Sequence, residues 1–483
     1  MSLFRRLCNN LSCEEMRKKK FLLRPDKNFC YEQANNRIGS FLTFFDSVSL
    51  SSGDVIAVES DKSFDIYCLF LACAIKGITY IPISQEQNLK RILPSLTSVN
   101  VKLAVTRKKD MHKTLTQEGF ECFNLSELND ESQEVLYNEI SGDIYVYMMF
   151  SSGSTGDPKL IPITRNNLEK YIDSIEDLVK VEPFSRFSQI ASLTFDLSVH
   201  DIYLCFANKG SLCPIKLNES LLSYRFANQF HINYWMSVPS LVFFMMDALG
   251  GRINEIPSVK CTFFLGEALS WHTARQWSDI ASNGDIINLY GPTECTVAAA
   301  YYKLNKNYLK DGVVPIGAAL KNTKLMIDEN NQELLIGGSQ TFSGYLGNNT
   351  KSKQDYLLSK QGQIFYRSGD ISLLLKNEYN FKGRLDFQVK IRGYRIEIEE
   401  LESILNKNLG DDFIVVPIDE IQIGNYESVA ILYTKNNLIN RINSVVEEYF
   451  PKYISVSKIV LLESIPRNSN GKLDRKLAKQ RVQ

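Results

Sequence analysis

The sequence lacks the features that mark a metalloprotein, a disulfide-rich secreted protein or a membrane protein. Its 4 histidines show no metal-ligand spacing, and its 10 cysteines form no CxxC pair and lie mostly in apolar segments. Such cysteines favour reduced, buried thiols and a cytoplasmic location. No apolar run reaches the roughly 18 residues of a membrane-spanning helix, and residues 1–20 lack the apolar core of a signal peptide.

Charge of one sign is not in excess either. The 55 lysines and arginines balance 55 aspartates and glutamates, so the net charge is formally zero. This argues against a nucleic-acid partner held by a global basic field. What the chain does have is length, because 483 residues with 44% hydrophobic content predict a large core divided over two or more domains.

The first part of the chain alternates strand-like and helical segments. Residues 54–58, 79–83 and 101–105 are short apolar runs typical of strands, and residues 64–75 carry a helical apolar pattern. The same alternation recurs over residues 186–264. Strand–helix–strand repetition predicts right-handed crossovers and parallel-rich sheets covered by helices on both faces.

From about Asn331 the pattern changes to short β-like runs separated by Gly, Asn and Asp. Residues 333–336, 363–367, 371–375 and 379–382 are such runs, which predicts a small antiparallel region.

A mixed segment follows, with a predicted strand over residues 387–392 and a predicted helix over residues 399–405. We therefore expect an α/β protein with two domains. Residues 1–385 form a large N-terminal domain with helix-sandwiched sheets and the small antiparallel region, and residues 386–483 form a small, mobile α+β domain.

Residues 151–159, SSGSTGDPK, follow an apolar strand-like run and combine small hydroxylated residues, glycines and a lysine. Such a loop can turn N–H groups and hydroxyls toward phosphate oxygens. The spacing is not that of a Walker loop, because no Ser or Thr follows Lys159. Taken alone, a phosphate-binding loop and a Ser/Gly-rich surface loop are about equally supported.

Six segments in order resemble the adenylate-forming superfamily, which includes acyl-CoA synthetases, luciferase and the adenylation domains of peptide synthetases. They are residues 151–159 (SSGSTGDPK), 195–198 (FDLS), 266–268 (GEA), 288–294 (NLYGPTE), 366–370 with 383–386 (YRSGD and GRLD), and 471–475 (GKLDR). Within that superfamily the chain looks most like stand-alone D-alanine–carrier protein ligases.

The resemblance implies a ligase that uses ATP and Mg²⁺, with a carboxylate attacking the α-phosphate and a thiol then expelling AMP. Thr293 would bind the α-phosphate and Glu294 would ligate Mg²⁺, for which a carboxylate is a suitable hard ligand. Lys472 would bridge the substrate carboxylate and the phosphate during adenylation. The remaining implied nucleotide-binding residues are Ser151, Ser152, Ser154, Thr155, Lys159, Gly266, Glu267, Asn288, Tyr290, Gly291, Asp370 and Arg384.

Two of these residues, and Asp386, have more definite implied places. Tyr290 would stack on adenine, and Asp370 would accept hydrogen bonds from both ribose hydroxyls. Asp386 matches the hinge about which the C-terminal domain rotates between the two half-reactions. After that rotation Lys390 and Gly393 would face the tunnel of a phosphopantetheine arm.

Asp196 carries most of the information about the substrate. In amino-acid-activating relatives an Asp here pairs with the α-ammonium group. From the residues alone it could instead cap the following helix, but its context favours the ammonium partner. The other implied pocket residues are His200, Met236, Phe263, Leu265, Leu289, Val297 and Ala298. They are apolar and bulky, which favours a small or aliphatic amino acid; they also depart from the D-alanine ligase pattern and leave the amino acid and its chirality open.

The expected partner is a separate carrier protein with a phosphopantetheine arm, serving cell-wall alanylation or nonribosomal peptide and other natural-product assembly. One alternative is an acyl- or aryl-CoA ligase for amine-free acids, against which Asp196 argues. Another is a non-catalytic relative that keeps only the fold, against which the set Lys159, Glu294, Asp370, Asp386 and Lys472 argues.

Overall fold

The structure is a computed structural model, and it describes residues 1–140, 142–151, 158–251, 253–305, 311–347, 356–360, 362–392, 394–410, 413–422, 424–450, 452–467 and 473–482. Over these residues no helix is both long and apolar enough to cross a membrane.

The strands are numbered in chain order. They are β1 (Lys20–Leu22), β2 (Phe29–Cys30), β3 (Val55–Glu59), β4 (Thr79–Ile83), β5 (Leu103–Thr106), β6 (Cys122–Asn124), β7 (Tyr145–Ser151), β8 (Lys159–Thr164), β9 (Arg186–Gln189), β10 (Ser211–Pro214), β11 (Tyr234–Ser237), β12 (Cys261–Phe264), β13 (Asp285–Tyr290), β14 (Ala300–Lys303), β15 (Ala318–Ala319), β16 (Thr323–Ile327), β17 (Glu333–Gly338), β18 (Leu357–Lys360), β19 (Gln363–Leu375), β20 (Glu378–Arg384), β21 (Gln388–Ile391), β22 (Tyr394–Glu397), β23 (Ile414–Gln422), β24 (Asn425–Tyr433) and β25 (Val456–Leu461).

The helices are numbered in the same way. They are α1 (Leu3–Ser12), α2 (Tyr31–Ser47), α3 (Phe64–Lys76), α4 (Leu89–Ser98), α5 (Lys109–Gln117), α6 (Arg165–Leu178), α7 (Leu197–Ala207), α8 (Ser223–Gln229), α9 (Pro239–Ala248), α10 (Trp271–Ile280), α11 (Ile398–Leu409), α12 (Ile439–Tyr449) and α13 (Arg475–Gln480).

Two large, mostly parallel sheets form the first part of the molecule, as the alternating pattern predicts. One has the order β6-β5-β3-β4-β7-β8, and the other has the order β15-β14-β13-β12-β11-β9-β10-β1-β2. Helices α3 and α7 are buried almost all round, because apolar side chains cover their whole circumference and the sheets enclose them. The prediction of helix-sandwiched, parallel-rich sheets is confirmed.

The predicted antiparallel region is a third sheet with the order β16-β17-β19-β18, and β20 pairs with β19. The sequence pattern suggested two separate runs, 363–367 and 371–375, but the structure has one strand, β19, across both. Gly369 lies inside β19 with φ +72°, where the register between β17 and β19 shifts. The Ser-Gly-Asp segment is therefore an irregularity within a strand rather than a turn.

A fourth sheet, with the order β22-β21-β24-β23 and with β25 paired to β24, follows residue 387. Its apolar residues form clusters of their own, drawn from residues 389–482. The predicted strand over residues 387–392 is shorter in the structure and forms a hairpin with β22, and the predicted helix over 399–405 extends to Leu409. This hairpin faces the cleft described next.

Candidate active site

A cleft of about 400 Å³ lies where β12 and β13 end and where the β21–β22 hairpin approaches them. The carboxyl edge of a parallel sheet is the usual place for ligands in α/β folds, because the connecting loops can diverge there. The predicted residues that line this cleft are Asp196, Leu265, Gly266, Glu267, Asn288, Leu289, Tyr290, Gly291, Thr293, Asp370, Arg384, Asp386 and Lys390.

Asn288 supplies an unused acceptor at the floor of the cleft. Its Nδ2 donates a hydrogen bond to the Pro315 carbonyl at 2.9 Å, whereas its buried Oδ1 has no hydrogen-bond partner among the described residues. A buried acceptor without a donor is costly unless a ligand supplies one. The exocyclic amine of adenine is a donor of the required kind, so the position fits a nucleotide base.

Glu267 lines the same cleft but is held by the protein. Its two carboxylate oxygens accept hydrogen bonds from the backbone N–H and the hydroxyl of Ser240, both at 2.7 Å, at the start of α9. A carboxylate in this position accepts hydrogen bonds from N–H groups that the helix leaves free, and its negative charge is stabilised by the helix dipole. Burial raises its pKa despite these bonds. Glu267 therefore has a structural role, because it fixes the start of α9 beside the cleft.

Asp370 is the centre of a chain of polar contacts. One of its oxygens accepts from Arg384 and the other from the Tyr290 hydroxyl. Arg384 in turn pairs with Asp386 through two hydrogen bonds of 2.6 and 2.8 Å. Burial opposes ionisation of Asp386, but the hydrogen bonds and charge of Arg384 outweigh it and lower the pKa of Asp386. The predicted ribose-binding residue and the predicted hinge residue are thus joined by one guanidinium.

Gly369 allows this chain to form. Its φ of +72° lies in the left-handed region that favours glycine. An added Cβ would lie 2.7 Å from Nη2 of Arg384 and 2.9 Å from Oδ2 of Asp386. A side chain here would push the guanidinium away from both carboxylates.

Glu294 follows β13 in the short 3-10 turn Thr293–Cys295 and is fully buried. Nη1 of Arg395, on β22, lies 3.1 Å from Oε1 and 3.0 Å from Oε2, and the Tyr345 hydroxyl donates to Oε1 at 2.6 Å. Burial opposes ionisation, but the Arg395 charge and the Tyr345 hydroxyl outweigh it and lower the pKa of Glu294. This carboxylate is ionised and already has a cation.

Asp196 lies nearby and has no such cation. Asp196 is 5% exposed, and its Oδ2 has no hydrogen-bond partner among the described residues. The Thr293 hydroxyl and the Val297 N–H lie close enough to its carboxylate to favour the ionised form. Burial raises its pKa to about 6, and the charge of Glu294 adds to this effect. Asp196 precedes α7 but makes no capping hydrogen bond, so capping does not account for it.

The backbone that contacts Asp196 is in a rarely used conformation. Thr296 and Val297 have φ values of +58° and +67°, although both are β-branched. Each such residue costs on the order of 1–3 kcal/mol and persists only where the surroundings enforce it. Here it brings the Val297 N–H to Asp196.

The other predicted pocket residues pack behind Asp196. Nδ1 of His200 is hydrogen-bonded to the Tyr171 hydroxyl at 2.6 Å, and its ring packs edge-on against Phe263. Burial lowers the pKa of His200 to about 3, so the imidazole is neutral. The remaining walls are fully or almost fully buried apolar side chains: Met236, Phe263, Leu265, Leu289, Val297 and Ala298.

A narrower pocket of about 120 Å³ leads from Asp196 and Thr293 toward the start of α4. It is bounded by Phe195, whose ring meets Tyr394 edge-on at 5.1 Å, and by Tyr453, which stacks on Tyr394 at 4.0 Å. The pocket therefore lies between elements before and after residue 386.

Comparison with known proteins assigns the chain that forms this site to a family. A family model for AMP-binding enzymes matches residues 11–346. The chain belongs to the AMP-binding enzyme family. It is also 30% identical to a D-alanine–D-alanyl carrier protein ligase of Bacillus licheniformis, over 86% of each chain.

Two further likenesses agree with this assignment. The chain is 26% identical over 93% of its length to part of bacitracin synthase 2 of Bacillus licheniformis, of which it covers 18%. It superimposes with a TM-score of 0.87 and 24% identity on the Vibrio cholerae adenylation domain AlmE in complex with glycyl-adenosine-5′-phosphate, over 99% of this chain and 97% of that one. The resemblance read from the sequence is confirmed, and the protein is an AMP-forming ligase.

Only the two ends of the predicted phosphate loop of this AMP-binding enzyme lie in the described part of the chain. Ser151 ends β7 and lines the narrower pocket, and Lys159 begins β8 with its Nζ 5.0 Å from the centre of the Tyr345 ring. Five of the residues singled out in the sequence lie outside the described part of the chain, namely Ser152, Ser154, Thr155, Gly393 and Lys472.

Sequence reasoning assigned no role to several residues of the site. Arg395 lies outside the six segments that carry the resemblance, and nothing in the sequence paired it with Glu294. Tyr345 follows a Gly and carried no signal. Tyr147 and Tyr171 carried no sequence signal either. Both are fully buried, and the pKa of each is raised first by burial and second by the Asp196 charge.

Proposed function

We propose that this AMP-forming ligase activates a small, apolar amino acid with ATP and transfers it to the phosphopantetheine thiol of a separate carrier protein. The observation that carries the proposal is Asp196, a buried carboxylate with an unpartnered Oδ2. Burying such a charge is unfavourable unless a cation accompanies it. The α-ammonium group of an amino acid is a cation that would arrive with the substrate.

In the proposed first step, a carboxylate oxygen of the amino acid attacks the α-phosphorus of ATP, and the bond to pyrophosphate breaks. In the second, a thiolate attacks the acyl carbon, and the bond to AMP breaks. Neither step needs a nucleophile from the protein, so its residues contribute by positioning and by stabilising charge. Mg²⁺ would neutralise phosphate charge when bound.

The nucleotide has matching groups in the cleft. Oδ1 of Asn288 suits the adenine amine. Asp370 suits the ribose hydroxyls, because each carboxylate oxygen keeps a lone pair beyond its bond to Tyr290 or Arg384. Tyr290, which lines the cleft, would then form an edge of the nucleoside site. For Mg²⁺ the candidate ligand is Glu294, whose present partner is Arg395.

The amino acid is proposed to be glycine, alanine or a similarly small apolar one. The name of the Bacillus licheniformis ligase specifies D-alanine, and the AlmE complex contains a glycyl adenylate. Leu265 and Leu289 line the cleft beside Asp196. By the resemblance, buried Met236 would further narrow the space for the substrate side chain, and neutral His200 would offer it no charge.

The two-domain division is part of the proposal. We place the boundary at Asp386, with the hinge there and Lys472 entering the site after rotation. The narrower pocket suits the phosphopantetheine arm, because it runs between the two parts and reaches the reaction centre. A cytoplasmic location, where ATP and reduced carrier thiols are available, completes the proposal.

The test is amino-acid-dependent ATP–pyrophosphate exchange over glycine, D- and L-amino acids, β-alanine and simple fatty and aryl acids. Exchange confined to one or a few small amino acids is expected, and a radiolabelled form of the same amino acid should then be transferred to a holo carrier protein. Exchange driven by amine-free acids instead would refute the role proposed for Asp196 and favour an acyl- or aryl-CoA ligase. Wild-type enzyme without added acid is the control.

A further inference from the structure

Glu294 has little room for a second cation in this structure. Nη1 of Arg395 lies 3.0 and 3.1 Å from its two oxygens, and Oε1 also accepts from the Tyr345 hydroxyl at 2.6 Å. The Glu294 side chain is fully buried, and that of Arg395 is 26% exposed. Arg395 lines the cleft and Glu294 does not, so the guanidinium lies between the carboxylate and the cleft.

A divalent cation would need the same side. Mg²⁺ binds carboxylates at about 2.0–2.1 Å and retains a near-octahedral shell of oxygens, which requires space beside the carboxylate. A guanidinium offers only donors and carries a positive charge, so it can neither complete that shell nor lie next to it without repulsion. Arg395 and a metal cannot both contact Glu294 in the arrangement described.

The position of Arg395 depends on how residues after 386 pack against the rest. Arg395 belongs to the β21–β22 hairpin, and its neighbour Tyr394 contacts Phe195. Arg91 and Glu400 form a largely buried ion pair across the same boundary.

Further contacts across this boundary lie at the surface. Lys90 pairs with Glu448 at 2.8 Å, and the Lys452 N–H donates to the Glu86 carbonyl at 3.4 Å. Because Glu400, Glu448 and Lys452 lie outside the hairpin, only a movement of the whole part after residue 386 would break these contacts together with the one at Glu294.

We propose that Arg395 and Mg²⁺ are alternative, mutually exclusive partners of Glu294, so that docking of the hairpin excludes the metal and metal binding disfavours docking. This inference rests on the proposed function, because it takes Glu294 as the metal ligand of an ATP-dependent step. The coupling must be reciprocal, since each partner changes the affinity of Glu294 for the other by the same factor. Arg395 is thereby a positioning residue that keeps Glu294 neutralised when no metal is bound.

The test uses the full chain, α,β-methylene-ATP, which resists attack at the α-phosphorus, and a titration of MgCl₂. Hydrogen–deuterium exchange reports docking through peptides covering β21 and β22, and calorimetry reports nucleotide binding. In the wild type, Mg²⁺ with the nucleotide is expected to speed exchange in the hairpin, whereas the nucleotide without metal is not. In Arg395→Gln the Mg²⁺ midpoint should fall several-fold, and hairpin exchange should already be faster without metal.

Arg392→Gln is the matched control. Arg392 lies on the same hairpin, but its partner is Glu427 within the same sheet at 3.3 Å, and both side chains are about half exposed. Its Mg²⁺ midpoint should equal that of the wild type. Arg395→Lys keeps the positive charge without the planar guanidinium, so its Mg²⁺ midpoint should lie between those of Arg395→Gln and the wild type. This variant also provides a test if Arg395→Gln folds poorly.

The outcomes separate the two hypotheses. If the nucleotide and Mg²⁺ bind while hairpin exchange stays constant, or if Arg395→Gln and Arg395→Lys keep the wild-type midpoint, the inference is wrong and the proposed function stands. If the wild type does not bind the nucleotide with or without Mg²⁺, both are wrong. A lowered midpoint in Arg395→Gln and a wild-type midpoint in Arg392→Gln would support the inference.

Discussion

Two carboxylates at the centre of this molecule, Asp196 and Glu294, are both buried but differ in every other electrostatic respect. The pKa of Glu294 is lowered, because Arg395 and Tyr345 more than offset its burial. The pKa of Asp196 is raised to about 6, because burial and the neighbouring charge of Glu294 outweigh the hydrogen bonds from Thr293 and Val297. Burial alone therefore does not determine the state of a carboxylate: Glu294 has a cationic partner within the protein, and Asp196 does not.

The most sensitive test of this difference is removal of the Asp196 charge. Asp196→Ala should lower kcat/KM for the amino acid by roughly 100-fold or more, since losing one partner of a desolvated charge pair costs about 2–5 kcal/mol. The KM for ATP should stay within about twofold of wild type. Exchange kinetics with each substrate varied in turn would measure both.

Asp196→Asn is the isosteric control, because it keeps the size and one acceptor but not the charge. It should lose most of what Asp196→Ala loses. Wild-type amino-acid kinetics in Asp196→Asn would show that charge is not what distinguishes Asp196 from other polar groups.

Next in size is the coupling between Glu294 and Arg395. Arg395→Gln leaves a fully buried carboxylate without its cation and should lower the free energy of unfolding by about 2–4 kcal/mol in metal-free buffer. Glu294→Gln together with Arg395→Gln should recover part of that loss. A double-mutant cycle by urea unfolding would measure a coupling of about 1 kcal/mol or more, and additive losses would contradict the pairing.

The pH dependence should follow from the raised pKa of Asp196. The free enzyme needs an ionised Asp196 to attract an ammonium group, so kcat/KM for the amino acid should fall about tenfold per pH unit below about 6. The same shift affects folding in the opposite sense. The native state retains the proton more strongly, so this residue's contribution to stability falls as pH rises from 3.8 to about 6 and is constant above that.

Asp196→Asn again provides the control, because it removes the titrating group. Its kcat/KM should be low and should lack this pH dependence. If kcat/KM of the wild type does not change between about pH 5 and about pH 7, a range that includes the pKa of about 6, the role assigned to ionised Asp196 is contradicted.

The smallest expected effect compares two buried tyrosines near Asp196. The Tyr171 hydroxyl is hydrogen-bonded to His200, whereas the Tyr147 hydroxyl has no hydrogen-bond partner among the described residues. Tyr171→Phe should cost about 1 kcal/mol of unfolding free energy, and Tyr147→Phe should be close to neutral. Thermal unfolding of Tyr171→Phe and Tyr147→Phe would compare the loss of unfolding free energy at a hydrogen-bonded and at an unpartnered hydroxyl. Equal losses in the two variants would contradict the expected difference.

Much of the architecture could be predicted from residue patterns, because periodicity and turn residues are local. The alternation before residue 264 predicts parallel sheets, and the change near Asn331 predicts an antiparallel one. Local reasoning failed at Gly369, where a glycine between polar residues suggests a turn. The glycine is instead required by close contact with Arg384, which is distant in sequence and cannot be read from a short window.

The candidate site shows the same limit. Asp196, Asn288, Thr293 and Asp370 line one cleft, as the motifs imply. The pairing of Arg395 with Glu294 could not be predicted, because it joins residues 101 positions apart and depends on how the hairpin docks. Motifs indicate which residues meet a ligand, whereas the charges that surround them follow from packing.

The left-handed backbone at Val297 has a consequence for redesign of substrate range. Val297 holds Asp196 through its N–H rather than its side chain, so the side chain can change while the contact remains. Glycine adopts a φ of +67° without the penalty that valine incurs, and it would also widen the pocket. Most substitutions that enlarge a buried pocket destabilise the protein, but at this position relief of about 1–3 kcal/mol of backbone strain counters part of the cost of the cavity, which makes Val297 a position to test early for accommodating a larger amino acid.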